Sequence, residues 1–174
     1  MNHNTTTTTT QAPTPPTTAG RGAVSLRESV EIDVHAAVAW RIVAHQERDP
    51  EWRHGVREMG SDPAGEVTVG ARTDEVITVA GRTYRNVGRI DHVDMGRSFT
   101  WHTVEGADAH GSRTVRPLGD GRCEVTMELV VHPAGLDRLL APVTGRVLGR
   151  SLRRDVRALA ALARAEADSD TRVA

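Results

Sequence analysis

The chain has 174 residues, with 22 basic and 23 acidic side chains and a formal net charge of −1 at pH 7. This balance provides no global field that would recruit a polyanion, so we expect no nucleic-acid partner. The single cysteine, Cys123, excludes an intrachain disulfide and a multi-cysteine metal site, and it favours a reducing, cytoplasmic location. The sequence has no run of about 18 apolar residues, so we expect no integral membrane segment.

The first 22 residues are rich in Thr and Pro, as in "NTTTTTT" and "APTPPTT". They contain too few large apolar side chains to offset the entropy of ordering, so we expect a disordered tail over 1–22. Residues 23–167 are then long enough for one domain with a substantial core. We expect residues 168–174 to form a frayed C-terminus.

The first predicted elements are a strand and a short helix. Apolar and polar side chains alternate from Leu26 to Val34, which predicts a half-buried strand whose apolar face is interrupted at Glu28. The following "HAAVAWRIVAHQ" places its large apolar residues at helical spacing. The next segment, "RDPEWRHG", should break this helix, because Pro50 disfavours a helical conformation at Asp49.

An antiparallel meander is predicted from residue 67 onward. Short alternating segments are separated by glycine-containing turns at 79–83, 94–98, 105–111 and 118–123. For the strand at 71–79, the face with Thr73 and Glu75 is taken as inward, and the face with Asp74 is the alternative. The remaining inward positions are Tyr84, Asn86, Gly88, Ile90, Phe99, Trp101, Thr103, Arg113, Val115, Cys123, Val125, Met127, Leu129 and Val131.

A long helix is predicted after Pro133, with two distinct faces. At about 100° per residue, one arc contains leucines together with one serine and one aspartate. The arginines of this segment fall on the opposite side, which we expect to face water. The first arc comprises Leu148, Ser151, Leu152, Asp155, Leu159, Leu162 and Ala163, and the second comprises Arg146, Arg150, Arg153, Arg157 and Arg164.

These segments include "VAW", "DPEW", "SFTW", "GDGRCEVTMEL" and the helix ending "LRRDVRALAALA". Over about 24–165 the order of these segments resembles that in members of the START-like, helix-grip superfamily (SRPBCC), and within it the polyketide cyclase/dehydrase branch. The resemblance implies an α+β fold in which a curved antiparallel sheet of six to seven strands wraps around a long C-terminal helix, with short helices after the first strand. It also implies an elongated cavity between the sheet and that helix.

The predicted cavity wall contains a few polar groups. An ionised Asp155 on a dry face is costly unless it is paired, so it is interpreted as a ligand anchor with Tyr84 or Arg113, or as a rim or structural carboxylate. An inward, desolvated Glu75 can move protons in a cyclisation or dehydration. The candidates for catalysis are Tyr84, Arg113, Glu75 and Asp155, and those for ligand binding are Trp52, Tyr84, Asn86, Trp101, Arg113, Met127, Ser151 and Asp155.

Other types of site are not indicated. Aromatase/cyclase members of the family place a hydroxyl and an arginine on an inward strand, whereas the matching positions here are Gly88 and Ile90. This difference argues against an aromatase mechanism. The eight histidines lack zinc-site spacing, so we expect neither a metal nor another cofactor.

The resemblance therefore predicts a protein that binds a small hydrophobic molecule, polyketide- or lipid-like. One alternative is a polyketide cyclase/dehydratase that uses polar cavity residues, so whether the chain is an enzyme stays open. A second alternative is an interaction module that docks on an acidic protein or an anionic membrane surface through the Arg-rich face of the last helix. The oligomeric state is also open, and a homodimer is one option.

Overall fold

The computed structural model describes residues 23–133 and 141–173, so the predicted tail at 1–22 lies outside the described residues. The strands are β1 (Val24–Ile32), β2 (Val56–Asp62), β3 (Arg72–Val79), β4 (Arg82–Asp94), β5 (Ser98–Glu105), β6 (Ala109–Gly119) and β7 (Arg122–Val131). The helices are α1 (Ala36–Val43), α2 (Asp49–Trp52) and α3 (Ala141–Val173), and a 3₁₀ turn (Gln46–Arg48) lies between α1 and α2.

The seven strands form one sheet in the order β1-β7-β6-β5-β4-β3-β2, and every neighbouring pair is antiparallel. The meander from β3 to β7 follows the predicted turns, and β1 closes the order by pairing with β7, Val24 opposite Val131. The sheet curls around α3, which confirms the helix-grip fold that the resemblance implied. Strand β2 was not predicted, since its sequence "VREMGSD" has little apolar–polar alternation.

The predicted inward positions are buried or half-buried along the sheet, with the exception of Tyr84 on β4, which is exposed. On β1 the residues alternate between half-buried and exposed. On β3, Thr73 is buried while Asp74 is exposed and pairs with Arg72, so the strand turns Glu75 inward and the alternative face is wrong. Since side chains alternate with a period of two, this one assignment fixes the orientation of the whole strand.

Helix α1 is confirmed, but the helix-breaking role of Pro50 is wrong. His35 caps α1, its Nδ1 accepting from the amide of Ala37 at 3.3 Å. Asp49 is helical (φ −52°, ψ −39°) and begins α2, with Pro50 in the first turn. A proline is tolerated in the first turn of a helix, and the contacts of the Asp49 carboxylate, described below, outweigh the local preference of a residue that precedes proline.

Helix α3 packs its apolar arc against the rest of the fold. Leu152, Asp155 and Leu159 are buried, whereas all five predicted outer arginines are exposed. One of them, Arg153, forms an ion pair with Glu28 at 2.9 Å. This ion pair explains why a glutamate lies on the otherwise apolar face of β1. Residues 134–140 lie outside the described residues. The helix continues to Val173, so it includes positions 168–173 of the segment expected to fray.

Close packing brings α3 against β1. A Cβ at Gly145 would lie 3.3 Å from Val24 Cγ1, and one at Gly149 would lie 3.6 Å from Leu26 Cδ2. The absence of side chains at these two positions therefore lets the helix lie directly on the strand. Within the described residues, no helix has both the length and the apolar character required to cross a membrane.

Candidate functional site

A buried ion pair between Arg113 and Asp49 joins the sheet to the short helix α2. Arg113 on β6 is 3% exposed, and the Asp49 carboxylate is fully buried. The guanidinium donates to both carboxylate oxygens, with 2.7 Å between Nη1 and Oδ1, and Nη1 also donates to the carbonyl of Val43 at 3.1 Å. The guanidinium carbon lies 5.0 Å from the ring centroid of Trp52 and 5.4 Å from that of Phe99. This arrangement compensates both buried charges.

The electrostatics keep Asp49 ionised. Burial acts to raise the pKa of its carboxyl, but the charges of Arg113 and Arg53, together with their hydrogen bonds, lower the pKa below its ordinary value of 3.8. Arg53 donates to Asp49 Oδ2 at 2.8 Å. The sequence pattern predicted an inward Arg113 but not its partner Asp49. One available signal was the spacing of Asp49 and Arg53, which are four residues apart on either side of a buried tryptophan.

Arg53 extends the pair toward the sheet. Its Nη1 also donates to Glu75 Oε1 at 2.7 Å, and Asn86 Nδ2 donates to Glu75 Oε2 at 2.9 Å. Asn86 in turn accepts from the amide of Ala107 at 3.0 Å. Four charged side chains and one amide therefore form a continuous chain of hydrogen bonds across the concave face of the sheet. Within it, two positive charges balance two negative charges.

This hydrogen-bonded network borders a cavity of about 30 Å³. Seven of the ten lining residues are polar, and none of the described residues of α3 contributes to the lining. The cavity therefore lies between β2–β6 and the segment 46–53, rather than between the sheet and the C-terminal helix as predicted. It is lined by Gln46, Arg53, Met59, Thr73, Glu75, Asn86, Gly88, Trp101, Thr103 and Arg113.

The structure brings only part of the predicted site together. Glu75, Asn86, Trp101 and Arg113 line the cavity, while Tyr84 is 39% exposed and lies outside it. Tyr84 is on the same face as Asn86, but it lies near the start of β4, where residues 82–85 are all exposed. Trp52 stacks behind Arg113, Met127 is buried beside it on β7, and Ser151 is half-buried on α3; none of these three lines the cavity.

Asp155 does not pair with Arg113 or Tyr84. Its Oδ1 accepts from the backbone amide of His54 at 2.7 Å, which joins α3 to the segment that carries Arg53. Burial raises the pKa of the Asp155 carboxyl above its ordinary 3.8, and the hydrogen bond from His54 and the charge of Arg53 oppose this only in part. Asp155 therefore contacts the backbone next to Arg53 rather than its predicted partners, and it does not line the cavity.

The two positions that match the aromatase motif offer no polar side chain. Ile90 is buried in the core, and Gly88 lies in the cavity wall. A Cβ at Gly88 would come within 2.5 Å of Thr73 Oγ1, so even a methyl group requires Thr73 to move. Among the described residues, no group of three or more His, Cys, Asp or Glu side chains is arranged to hold a metal ion.

The sequence matches a known protein family over most of its length. Residues 23–164 match the family model described as "Polyketide cyclase / dehydrase and lipid transport". No curated protein matches.

Solved structures share the fold at low sequence identity. The Zhui aromatase/cyclase from Streptomyces sp. R1128 is 16% identical over 82% of this chain and 94% of its own, with a TM-score of 0.69. TTHA0849 from Thermus thermophilus is 14% identical over 82% and 98%, with a TM-score of 0.71. A START superfamily protein from Mycobacterium smegmatis is 16% identical over 78% and 98%, with a TM-score of 0.57. The chain belongs to the polyketide cyclase/dehydrase and lipid transport family.

Proposed function

We propose that the protein binds a small hydrophobic molecule, polyketide- or lipid-like, in the cavity between β2–β6 and the segment 46–53. The observation that carries this proposal is a partly apolar cavity beside a fixed polar network that includes Arg113 and Glu75. Ligand sites commonly combine apolar walls with a few fixed polar groups that orient the ligand. Membership of a family that includes lipid transport supports the same function.

The size of the cavity indicates that binding requires side chains to move. A volume of about 30 Å³ holds about two water molecules, whereas pockets for drug-sized ligands measure roughly 300–1,000 Å³. Met59 and Trp101 are half-buried and form the apolar part of the lining. Methionine adapts readily because it is unbranched and has three rotatable bonds, so we expect Met59 to make room for a ligand.

The charge pattern of the wall favours a neutral ligand. The charge of Arg113 is compensated by Asp49, and that of Arg53 by Glu75. The distance from Arg113 Nη1 to Asp49 Oδ1 and the distance from Arg53 Nη1 to Glu75 Oε1 are both 2.7 Å. A carboxylate or an amine in the cavity would therefore add a charge without a free partner, at a cost in desolvation. A hydroxyl, ketone or ester avoids this cost.

The proposal is tested by measuring whether an apolar compound enters this cavity. Uniformly ¹⁵N-labelled protein is titrated with toluene, and the amide shifts of β3–β6 are followed. Met59→Trp should fill the cavity and abolish the shifts, whereas Met95→Trp should leave them unchanged, because Met95 is exposed in the turn between β4 and β5. Unchanged spectra of the native protein, together with no apolar compound co-purifying by native mass spectrometry, would refute the proposal.

A second candidate function is a cyclase or dehydratase. It is favoured by the position of Glu75, a carboxylate in the cavity wall that accepts from Arg53 and shares the wall with Arg113. Here Glu75 would remove a proton from the substrate while Arg113 stabilises negative charge that develops on oxygen. Of the four predicted catalytic residues, these two line the cavity. Glu75→Gln should abolish turnover of a polyketide substrate and retain its binding; turnover at the native rate would exclude this mechanism.

A further inference from the structure

Gln46 carries an unused hydrogen-bond acceptor at the cavity. It lies in the 3₁₀ turn after α1, is 3% exposed, and lines the cavity with Arg113 and Met59. Its Oε1 is buried, and no described residue donates to it. Most buried side-chain oxygens are paired, so an unpaired one on a residue that lines a cavity points to a donor supplied from within the cavity.

Apart from Thr73, the other polar side chains of the wall already form hydrogen bonds within the protein. Glu75 accepts from both Arg53 and Asn86. Thr103 Oγ1 contacts the carbonyls of Ala107 and Ala109 and accepts from the amide of Ala109. A ligand that bonded to these groups would compete with hydrogen bonds that the protein already makes. At Gln46 Oε1 it would form one without breaking any.

We infer that Gln46 determines specificity by accepting a hydrogen bond from a hydroxyl group on the ligand. This inference rests on the proposed function and narrows it from neutral apolar molecules to neutral molecules that carry a hydroxyl. Ethers, esters and ketones without a hydroxyl have no donor for Oε1. Ammonium groups have donors, but their charge would lack a free partner beside the balanced pairs of Arg113 and Arg53.

The position of Gln46 in the fold suits this role. It directly precedes the segment with Asp49 and Arg53, whose carboxylate and guanidinium are anchored to β6 and β3. The backbone of the turn is also fixed, since the amide of Arg48 donates to the carbonyl of His45 at 3.0 Å. An acceptor on a fixed backbone segment distinguishes ligands better than one on a mobile loop.

The inference is tested with three matched probes: phenol, anisole and toluene. Phenol and toluene are similar in size, but only phenol has a donor; in anisole the donor is blocked by a methyl group. Dissociation constants are measured by ¹⁵N chemical-shift titration of the native protein and of Gln46→Met, a variant of similar length that lacks the acceptor. Arg57→Gln, an exposed change on β2, is the matched control.

The expected result is a change in relative affinity. The ratio of the toluene constant to the phenol constant should fall about 3- to 10-fold in Gln46→Met, as expected for one neutral hydrogen bond, and stay unchanged in Arg57→Gln. In the native protein anisole should bind more weakly than phenol, a comparison that does not depend on any variant folding.

Two outcomes distinguish a failure of this inference from a failure of the proposed function. If all three probes shift the cavity amides but the toluene-to-phenol ratio is the same in Gln46→Met, or anisole matches phenol, the role of Gln46 is refuted and hydrophobic binding stands. If none of the probes shifts these amides, the proposed function itself fails, and the inference fails with it.

Discussion

Replacing Asp49 by asparagine should severely destabilise the fold. The carboxylate is fully buried and receives two hydrogen bonds from Arg113 and one from Arg53. Asparagine keeps the size of the side chain but removes the charge, which leaves the buried guanidinium of Arg113 uncompensated. Breaking one side of a buried ion pair costs about 3–5 kcal/mol, a large part of the roughly 5–15 kcal/mol that stabilises a typical domain.

Equilibrium unfolding in urea, followed by tryptophan fluorescence and by circular dichroism, measures this loss. The matched control is Glu51→Gln in the same helix, because Glu51 is exposed and its pair with Arg48 should contribute less than about 1 kcal/mol. The double variant Asp49→Leu with Arg113→Met should recover much of the loss, since it removes both charges together. A cost below about 1 kcal/mol for Asp49→Asn would show that the pair is solvated, which would refute the reasoning.

Three further predictions concern a carboxyl, a glycine and a thiol. Burial raises the pKa of Asp155 in the folded chain, so the stability that this carboxyl contributes is lost as pH rises past its ordinary pKa of 3.8. Urea titrations should therefore show Asp155→Asn gaining stability relative to the native protein as pH rises above 3.8, and a constant difference would contradict this. Gly88→Ala should cost about 1–3 kcal/mol in the free energy of unfolding, and Thr73→Ala should relieve part of that cost; purely additive losses would exclude the clash. Cys123 is buried and its pKa is raised by burial, so iodoacetamide should modify it only in urea, and rapid labelling of the native chain would be inconsistent with the structure.

Local periodicity accounts for the parts of the fold that could be predicted. A strand with one buried face repeats every two residues and a helix every 3.6, so the face of β1, the turns of the meander and the two sides of α3 could all be read from neighbouring residues. Strand β2 was missed because "VREMGSD" lacks this alternation. Its place in the sheet comes from pairing with β3, which is a tertiary contact.

The site was less predictable because its contacts are distant in sequence. Arg113 and Asp49 are 64 positions apart, and nothing near either residue identifies the other. The sequence instead suggested Asp155, which lies on the correct face of α3 but bonds to the backbone of His54. Gln46 was not predicted as a site residue, although it follows Ile42 and Val43 at helical spacing and therefore continues their buried side.

Pairing between the first and last strands makes the order of synthesis matter. β1 leaves the ribosome early, yet its partner β7 follows about a hundred residues later. Until then the edge of β1 has no native neighbour, so a nascent chain carries an exposed strand that other chains can pair with. Cells that make this protein quickly should therefore rely on chaperones more than a helical bundle of equal length would require.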